Sequence, residues 1–189
     1  MPVLLVVIAS TRPGRVGLPV GQWLIEEARN HGGFDVAVAD LMDLELPFLD
    51  EPHHPRLRQY TKNHTAEWSA MVDAADAVVF VMPEYNFAMT APLKNAIDYL
   101  YHEWNYKPAG LVSYGGMSGG VRAQQMVKQV LTAVRMMPLA ESVAIPLVTQ
   151  YVKDGVFTPP VPVVESAKVL LDELGTWASA LAPLRARHA

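Results

Sequence analysis

The sequence predicts an α/β domain built on a mainly parallel, doubly wound five-stranded sheet in the order 2-1-3-4-5, with helices on both faces. Two observations carry this. Short apolar runs without alternation recur along the chain, which is how strands covered on both faces read. Between them lie stretches whose apolar residues repeat at helical spacing, and strands alternating with helices imply right-handed crossovers and parallel neighbours. The 189 residues show no composition shift, internal repeat, low-complexity tract or linker, so one domain over 1–189 is expected.

Val3 to Ala9 is an almost unbroken aliphatic string rich in β-branched residues and forms the first strand. From Val20 to His31, Trp23, Leu24 and Ala28 recur at helical spacing, and Gly32-Gly33 closes the helix. Phe34 to Ala39 is the second strand. Residues 40 to 62, with Pro47, Pro52 and Pro55, form a long connection of the kind that covers a site or hides a short helix, which Pro55 to Tyr60 could start. Thr65 to Ala75 reads as a helix with Trp68, Met71, Val72 and Ala75 inward, and Ala77 to Met82 is the third strand. Leu93, Ala96, Ile97 and Leu100 form the stripe of the next helix, capped by Thr90 or Ala91, with Pro92 tolerated in its first turn. Gly110 to Tyr114 is the fourth strand. A helix then lines Ala123, Met126, Val127, Val130, Leu131 and Val134 on one face. Val143 to Leu147 is the fifth strand, and residues 163 to 182 form a closing helix with Val163, Ala167, Leu170, Leu174, Trp177 and Leu181 inward.

Composition narrows the function. Hydrophobic residues make up 51% and charged residues 18%, as expected of a folded chain with a sizeable core. A net charge of -4 argues against non-specific nucleic-acid binding, which needs a concentrated basic surface. The absence of cysteine excludes disulfides, a thiolate nucleophile, an iron-sulfur cluster and a thiolate zinc site, so any redox work needs a borrowed cofactor. The apolar start has no basic flank and is too short to span a bilayer, so no membrane association is expected and the cytoplasm is the default location.

In such a sheet, ligands bind beyond the carboxyl ends of the strands, where strand order reverses, here between the first and third strands. Three unusual loops share that rim. "STRPGRVG" after the first strand combines the Ser10 and Thr11 hydroxyls, the Arg12 and Arg15 cations and the flexible Gly14 and Gly17 around a helix N-terminus, an arrangement suited to a phosphate. It has neither the P-loop nor the G-x-G-x-x-G pattern, and a polar strand-to-helix turn remains the plainer alternative. "PEYNFAMTAP" after the third strand places Pro83, Glu84, Tyr85 and Asn86 where backbone amides, the Asn86 amide and the Tyr85 ring could meet a heteroaromatic edge. A proline-initiated turn with Tyr85 in the core is the other reading. "GGMSGG" after the fourth strand, with Gly115, Gly116, Gly119 and Gly120, permits close backbone approach to a flat ligand.

Together, "PEYNFAMTAPLKNAIDYL" at 83–100, "SYGGMSGGVRAQQ" at 113–125 and "STRPGR" resemble the NADPH-dependent FMN reductase family, flavodoxin-like flavoproteins that include quinone and azo-dye reductases. The resemblance runs to about residue 150. It implies a flavodoxin-like fold and an FMN-dependent oxidoreductase that takes hydride from NADPH or NADH and passes electrons to a small-molecule acceptor such as a flavin, quinone or azo compound. By position, Ser10, Thr11, Arg12, Arg15, Val16 and Gly17 fall in its FMN phosphate loop. Pro83, Glu84, Tyr85 and Asn86 run along the isoalloxazine, and Gly115 and Gly116 form the second flavin-edge loop. The chemistry then sits at the flavin N5, with no catalytic side chain and no metal. The resemblance also implies a homodimer whose second chain helps cover the flavin. The alternative is a flavodoxin-like electron carrier or redox-responsive flavin protein without NAD(P)H oxidase activity.

Other features have plainer readings. His53 and His54 lack a spaced third ligand and read as an exposed loop or lid. Lys94 and Asp98, at i and i+4, read as a surface or subunit-interface pair. "YLYHEWNY" at 99–106 reads as core, with an interface as the alternative.

Overall fold

A computed structural model describes residues 1–187. Five parallel strands, β1 (Val3–Ile8), β2 (Asp35–Asp40), β3 (Ala77–Pro83), β4 (Pro108–Tyr114) and β5 (Met137–Ile145), pair in the order 2-1-3-4-5, as the sequence predicts. Because side chains alternate across a strand, β1 feeds two cores at once. Leu4, Val6 and Ile8 pack with Val79, Val81, Trp23, Leu24, Leu170 and Leu174 beneath α1 (Gly17–His31) and α6 (Val161–Ala186). Leu5, Val7 and Ala9 pack with Phe80, Met82, Trp68, Leu93, Ile97, Val127 and Leu131 on the opposite face. That face is covered by α3 (Asn63–Asp73), α4 (Ala91–Asp98) and α5 (Val121–Ala133). Each fully buried aliphatic side chain contributes about 1.5–3 kcal/mol.

Local chemistry fixes several boundaries. Gly32 ends α1 with its N–H on the Arg29 carbonyl, 3.2 Å away. Thr90 is the cap of α4: its Oγ1 accepts from Leu93 N at 3.3 Å and donates to the Ala9 carbonyl at 2.9 Å, tying the end of β1 to the start of α4. The aromatic segment is core: Trp104 and Tyr99 are buried, and Trp68 and Trp104 meet edge to face at 5.8 Å. Their indole N–H groups donate to the Ala96 and Ile97 carbonyls. Lys94 and Asp98 form an exposed ion pair at 2.5 Å.

Other expectations shift. The fifth strand begins at Met137 and ends at Ile145 instead of spanning 143–147, because an edge strand tolerates Pro138 and an irregular register beside Ala109 hides its alternation. α1 starts at Gly17, since Pro19 fits a first turn. α3 starts at Asn63, where Glu51 accepts from Thr61 N and Lys62 N and so holds the chain entering the helix. On α5 the inward place expected for Met126 goes to Gln124, whose amide donates to Ser113 Oγ at 2.8 Å and the Val143 carbonyl at 3.0 Å; Met126 is 43% exposed. On α6, Leu171 and Ala178 point inward while Trp177 and Leu181 are only partly buried.

The 40–62 connection holds a short helix, α2 (Leu41–Leu44), and a 3-10 turn at Pro55–Leu57. It is pinned to α4, with the Pro47 carbonyl accepting from Asn95 Nδ2 at 2.7 Å and Tyr99 Oη at 3.0 Å, and His64 Nε2 lies 2.9 Å from Asp50 Oδ1. A hairpin of β6 (Val152–Lys153) and β7 (Val156–Phe157) was not anticipated, although Asp154-Gly155 is a strong hairpin-turn pair. Among the described residues no helix is long and apolar enough to cross a membrane.

Far from the ligand rim, Lys107 is buried and its Nζ donates to the Val72 carbonyl and, at 3.0 Å, to the Asp73 carbonyl. Burial pulls its pKa down to about 8, with Arg185 adding to the fall while Asp73, Asp76 and Glu103 oppose it. Between pH 8 and the ordinary value of 10.5 the unfolded chain holds the proton and the folded one does not, so this site adds stability as pH rises. The unfolding free energy of the wild type relative to Lys107→Met should therefore climb by roughly 2–3 kcal/mol from pH 8 to 10 in denaturant titrations. A pH-independent difference would exclude the buried, readily deprotonated amine.

Candidate functional site

Beyond the carboxyl ends of β1, β3 and β4, the three loops close around one cleft of about 460 Å³. Its walls include Ser10, Arg12, Gly14, Arg15 and Val16 from the first loop, Pro83, Glu84 and Tyr85 from the second, and Gly115 and Gly116 from the third. Nine of the twelve residues expected in the site meet there. Thr11 instead faces a neighbouring cleft formed with α2 and α4. Asn86 occupies the exposed tip of the second loop. Gly17 is buried behind the wall, where a Cβ would stand 2.4 Å from the Tyr114 hydroxyl, so only glycine admits that ring so close to α1.

The first loop has the makings of an anion cradle. α1 has no side-chain cap and no acidic residue in its first turn, so its free amide groups and the positive end of its dipole go uncompensated. Arg12 is exposed at the rim and the Ser10 side chain is buried beside it.

Arg15 has a partner within the fold. Its fork closes on Asp40 at the end of β2, with Nη1–Oδ1 2.5 Å and Nη2–Oδ2 2.6 Å, and Nη1 also donates to the Ser10 carbonyl at 2.7 Å. The two side chains are 8% and 9% exposed. The Asp40 hydrogen bond raises the Arg15 pKa further against the opposing effect of burial, so the guanidinium stays charged. Because β1 and β2 place Ile8 opposite Asp40, the arginine just past β1 reaches that carboxylate and braces the loop at the cleft wall.

Tyr114 was missed because it ends an apolar strand and reads as core. It lines the cleft with its hydroxyl buried and no partner in full hydrogen-bond geometry, and burial pushes its phenol pKa up against the lowering effect of Ser10 beside it. A buried orphan hydroxyl is costly unless something completes it. Together with the α1 amides, the Ser10 hydroxyl and Arg12, it makes a donor set that suits a phosphate group.

The second loop turns sharply at Asn86 and Phe87, both left-handed with φ of 51° and 69°, while Tyr85 and Ala88 exchange backbone bonds at 3.0 and 2.9 Å. A left-handed phenylalanine is rare and costs about 1–3 kcal/mol, and such strain gathers at ligand sites. Phe87 and Tyr85 are left 63% and 39% exposed beside the cleft. In the third loop, the Gly115 and Gly116 carbonyls accept from Val148 N at 3.3 Å and Leu147 N at 2.9 Å. These bonds bring Leu147, Val148 and Thr149 into the wall, three residues the sequence did not single out. Gly120 adopts φ 86° and packs on Ser113, where a Cβ would lie 2.7 Å from the serine Cβ. The arrangement offers a donor-rich pocket for a phosphate leading to a slot lined by backbone and flat apolar groups. It fits FMN. Among the described residues no group of three acidic or histidine side chains is placed to hold a metal.

Comparison with known proteins agrees with this chemistry. The sequence profile of the NADPH-dependent FMN reductases matches residues 2–150. An NAD(P)H-dependent FMN reductase of Schizosaccharomyces pombe is 39% identical over 162 residues, covering 85% of this chain and 80% of that protein. An NADPH azoreductase of Bacillus sp. is 33% identical over 143 residues, covering 75% of this chain and 74% of that protein. In fold, the chain resembles FerB, a flavoenzyme NAD(P)H:(acceptor) oxidoreductase from Paracoccus denitrificans, with a TM-score of 0.73 at 21% identity over 95% of this chain and 98% of FerB. The chain belongs to the NADPH-dependent FMN reductase family, oxidoreductases that work with FMN and a nicotinamide nucleotide.

Proposed function

We propose that the protein moves a hydride from NADPH or NADH, through FMN held in the cleft, to a flavin, quinone, azo compound or similar small acceptor. The observation that carries this reading is the joining, in one cleft, of an uncapped α1 terminus and the orphan Tyr114 hydroxyl with the side-chain-free wall at Gly115 and Gly116. When bound, FMN supplies the redox chemistry at its N5, so the protein's task is binding and orientation. The Ser10 hydroxyl, Arg12 and the α1 amides hold the phosphate, with Thr11 and Val16 in the same loop. Pro83, Glu84 and Tyr85 border the ring on one side, with Asn86 at the exposed tip of their loop, and Gly115 and Gly116 border it on the other. Tyr85, partly exposed, flanks the open side of the cleft where both substrates would enter. In the same reading the chain is a single domain over 1–189 that works in the cytoplasm as a homodimer, the exposed Phe87 at the rim favouring cover by a second copy.

Purified protein should carry flavin absorption bands and oxidise NADPH or NADH only when an acceptor is added. Because donor and acceptor share one open side, initial-rate plots should be parallel, the mark of a ping-pong scheme. A complex holding both substrates before any electron transfer would overturn the shared site. Negligible nucleotide oxidation by flavin-loaded protein across a panel of flavins, quinones and azo dyes would instead identify an electron carrier.

A further inference from the structure

The glycine wall of the cleft has no side chains of its own to hold it in place, and α5 behind it begins at Val121 after Gly120, a cap residue with no side chain to offer. A carboxylate from the opposite wall fills that role. Glu84 Oε2 accepts from the backbone N–H of Arg122 at 3.2 Å, in the first turn of α5, and from Ser118 Oγ at 3.1 Å. Its Oε1 accepts from Arg122 Nε at 2.6 Å, with Nη2 2.5 Å away. Arg122 in turn donates to Ser118 Oγ at 3.0 Å and lays its guanidinium 4.1 Å above the Phe87 ring. The contacts close a circuit from the second loop across to α5 and back to the tip of the second loop. Within it, the Glu84 side chain is 7% exposed and the arginine half-exposed. Burial alone would raise the Glu84 pKa, but the bonds from Arg122 and Ser118 outweigh it and keep the carboxylate ionised.

We infer that Glu84 is a positioning residue for FMN: it acts as a charged cap lent to α5 from the facing wall, and Arg122 is the counter-charge that cancels its field at the cleft. The inference rests on the assignment of this cleft to FMN. Two consequences separate the roles. As a bracket, the pair holds residues 115–122 at a fixed spacing from Pro83 and Tyr85. As a charge pair, it leaves the flavin potential nearly untouched only while both members are present, because reduction adds negative charge that a lone carboxylate opposes and a lone guanidinium favours.

The midpoint potential of bound FMN should therefore move upward in Glu84→Gln and downward in Arg122→Gln, and return near the wild-type value in the double variant. A purely structural loosening would move both single variants the same way. FMN dissociation constants should rise about tenfold in each single variant, the loss of one charge-assisted contact. In the FMN-free protein, backbone amides of 115–122 should exchange hydrogen faster in Glu84→Gln than in the wild type. Potentials that shift together or not at all overturn the charge assignment, and unchanged exchange overturns the bracket. Wild-type protein that takes up no FMN rejects the cofactor assignment, while the exchange measurement still decides whether Glu84 holds α5.

Discussion

Alanine at position 15 should destabilise the protein severely, whereas alanine at position 12 should weaken its hold on FMN and leave it folded. The two arginines stand three residues apart in one loop, yet they answer to different partners. Removing the Arg15 side chain leaves Asp40, 9% exposed, without its counter-ion and strips the Ser10 carbonyl of a donor. Breaking a buried pair from one side costs about 3–5 kcal/mol. That is a large share of a total stability of about 5–15 kcal/mol, and it should lower the Tm by roughly 10 °C. Replacing both partners, as in Arg15→Leu with Asp40→Leu, should recover much of the loss. Arg12, exposed at the rim, has no such structural duty. Arg12→Ala should weaken FMN binding by roughly 10- to 100-fold, the worth of a hydrogen bond to a charged group, with Tm unchanged. Fluorescence titration with FMN beside thermal denaturation reads both effects. A stable Arg15→Ala protein that has lost FMN would return that guanidinium to the ligand.

The second large effect is a clash that a neighbouring change should relieve. Gly17→Ala drives a methyl to 2.4 Å from the Tyr114 hydroxyl but leaves 3.4 Å to the ring carbon that bears it. Overpacking of this kind costs about 1–3 kcal/mol and should displace both the first turn of α1 and Tyr114 from the phosphate cradle. Tyr114→Phe removes the clashing atom and the orphan hydroxyl together. The double variant should accordingly be more stable than Gly17→Ala alone, giving a favourable coupling in a double-mutant cycle. If the phenylalanine restores nothing, the hydroxyl is not what excludes a side chain at 17.

The sheet was legible because strands buried on both faces cannot alternate; β1 and β3 announce themselves by composition alone. β5 was misplaced because it lies at the edge, where Pro138 and an irregular register break the pattern that identifies a strand. The candidate cleft was legible as three loops but not as a set of partnerships. Nothing in "STRPGR" reveals that one arginine is committed to a carboxylate 25 residues away, since that depends on the pairing of β1 with β2. Tyr114 was hidden for the opposite reason: an aromatic residue closing an apolar strand looks like packing, and only the absence of a partner for its hydroxyl marks it out. Gln124 shows the same limit, because helical spacing ranks positions by hydrophobicity and a buried amide that satisfies two acceptors defeats the ranking.

The hydroxyl of Thr90 joins the last turn of β1 to the first turn of α4, and beside it the phosphate cradle belongs to the β1 loop while the ring slot belongs to β3 and β4. The interval between the two grips is thus measured in strand spacings of about 4.8 Å each, and not in the lengths of flexible loops. The cleft acts as a ruler. On the proposed placement of FMN, a molecule with the right ring but no phosphate, such as riboflavin, should reach one end of the scale only and bind more weakly than FMN.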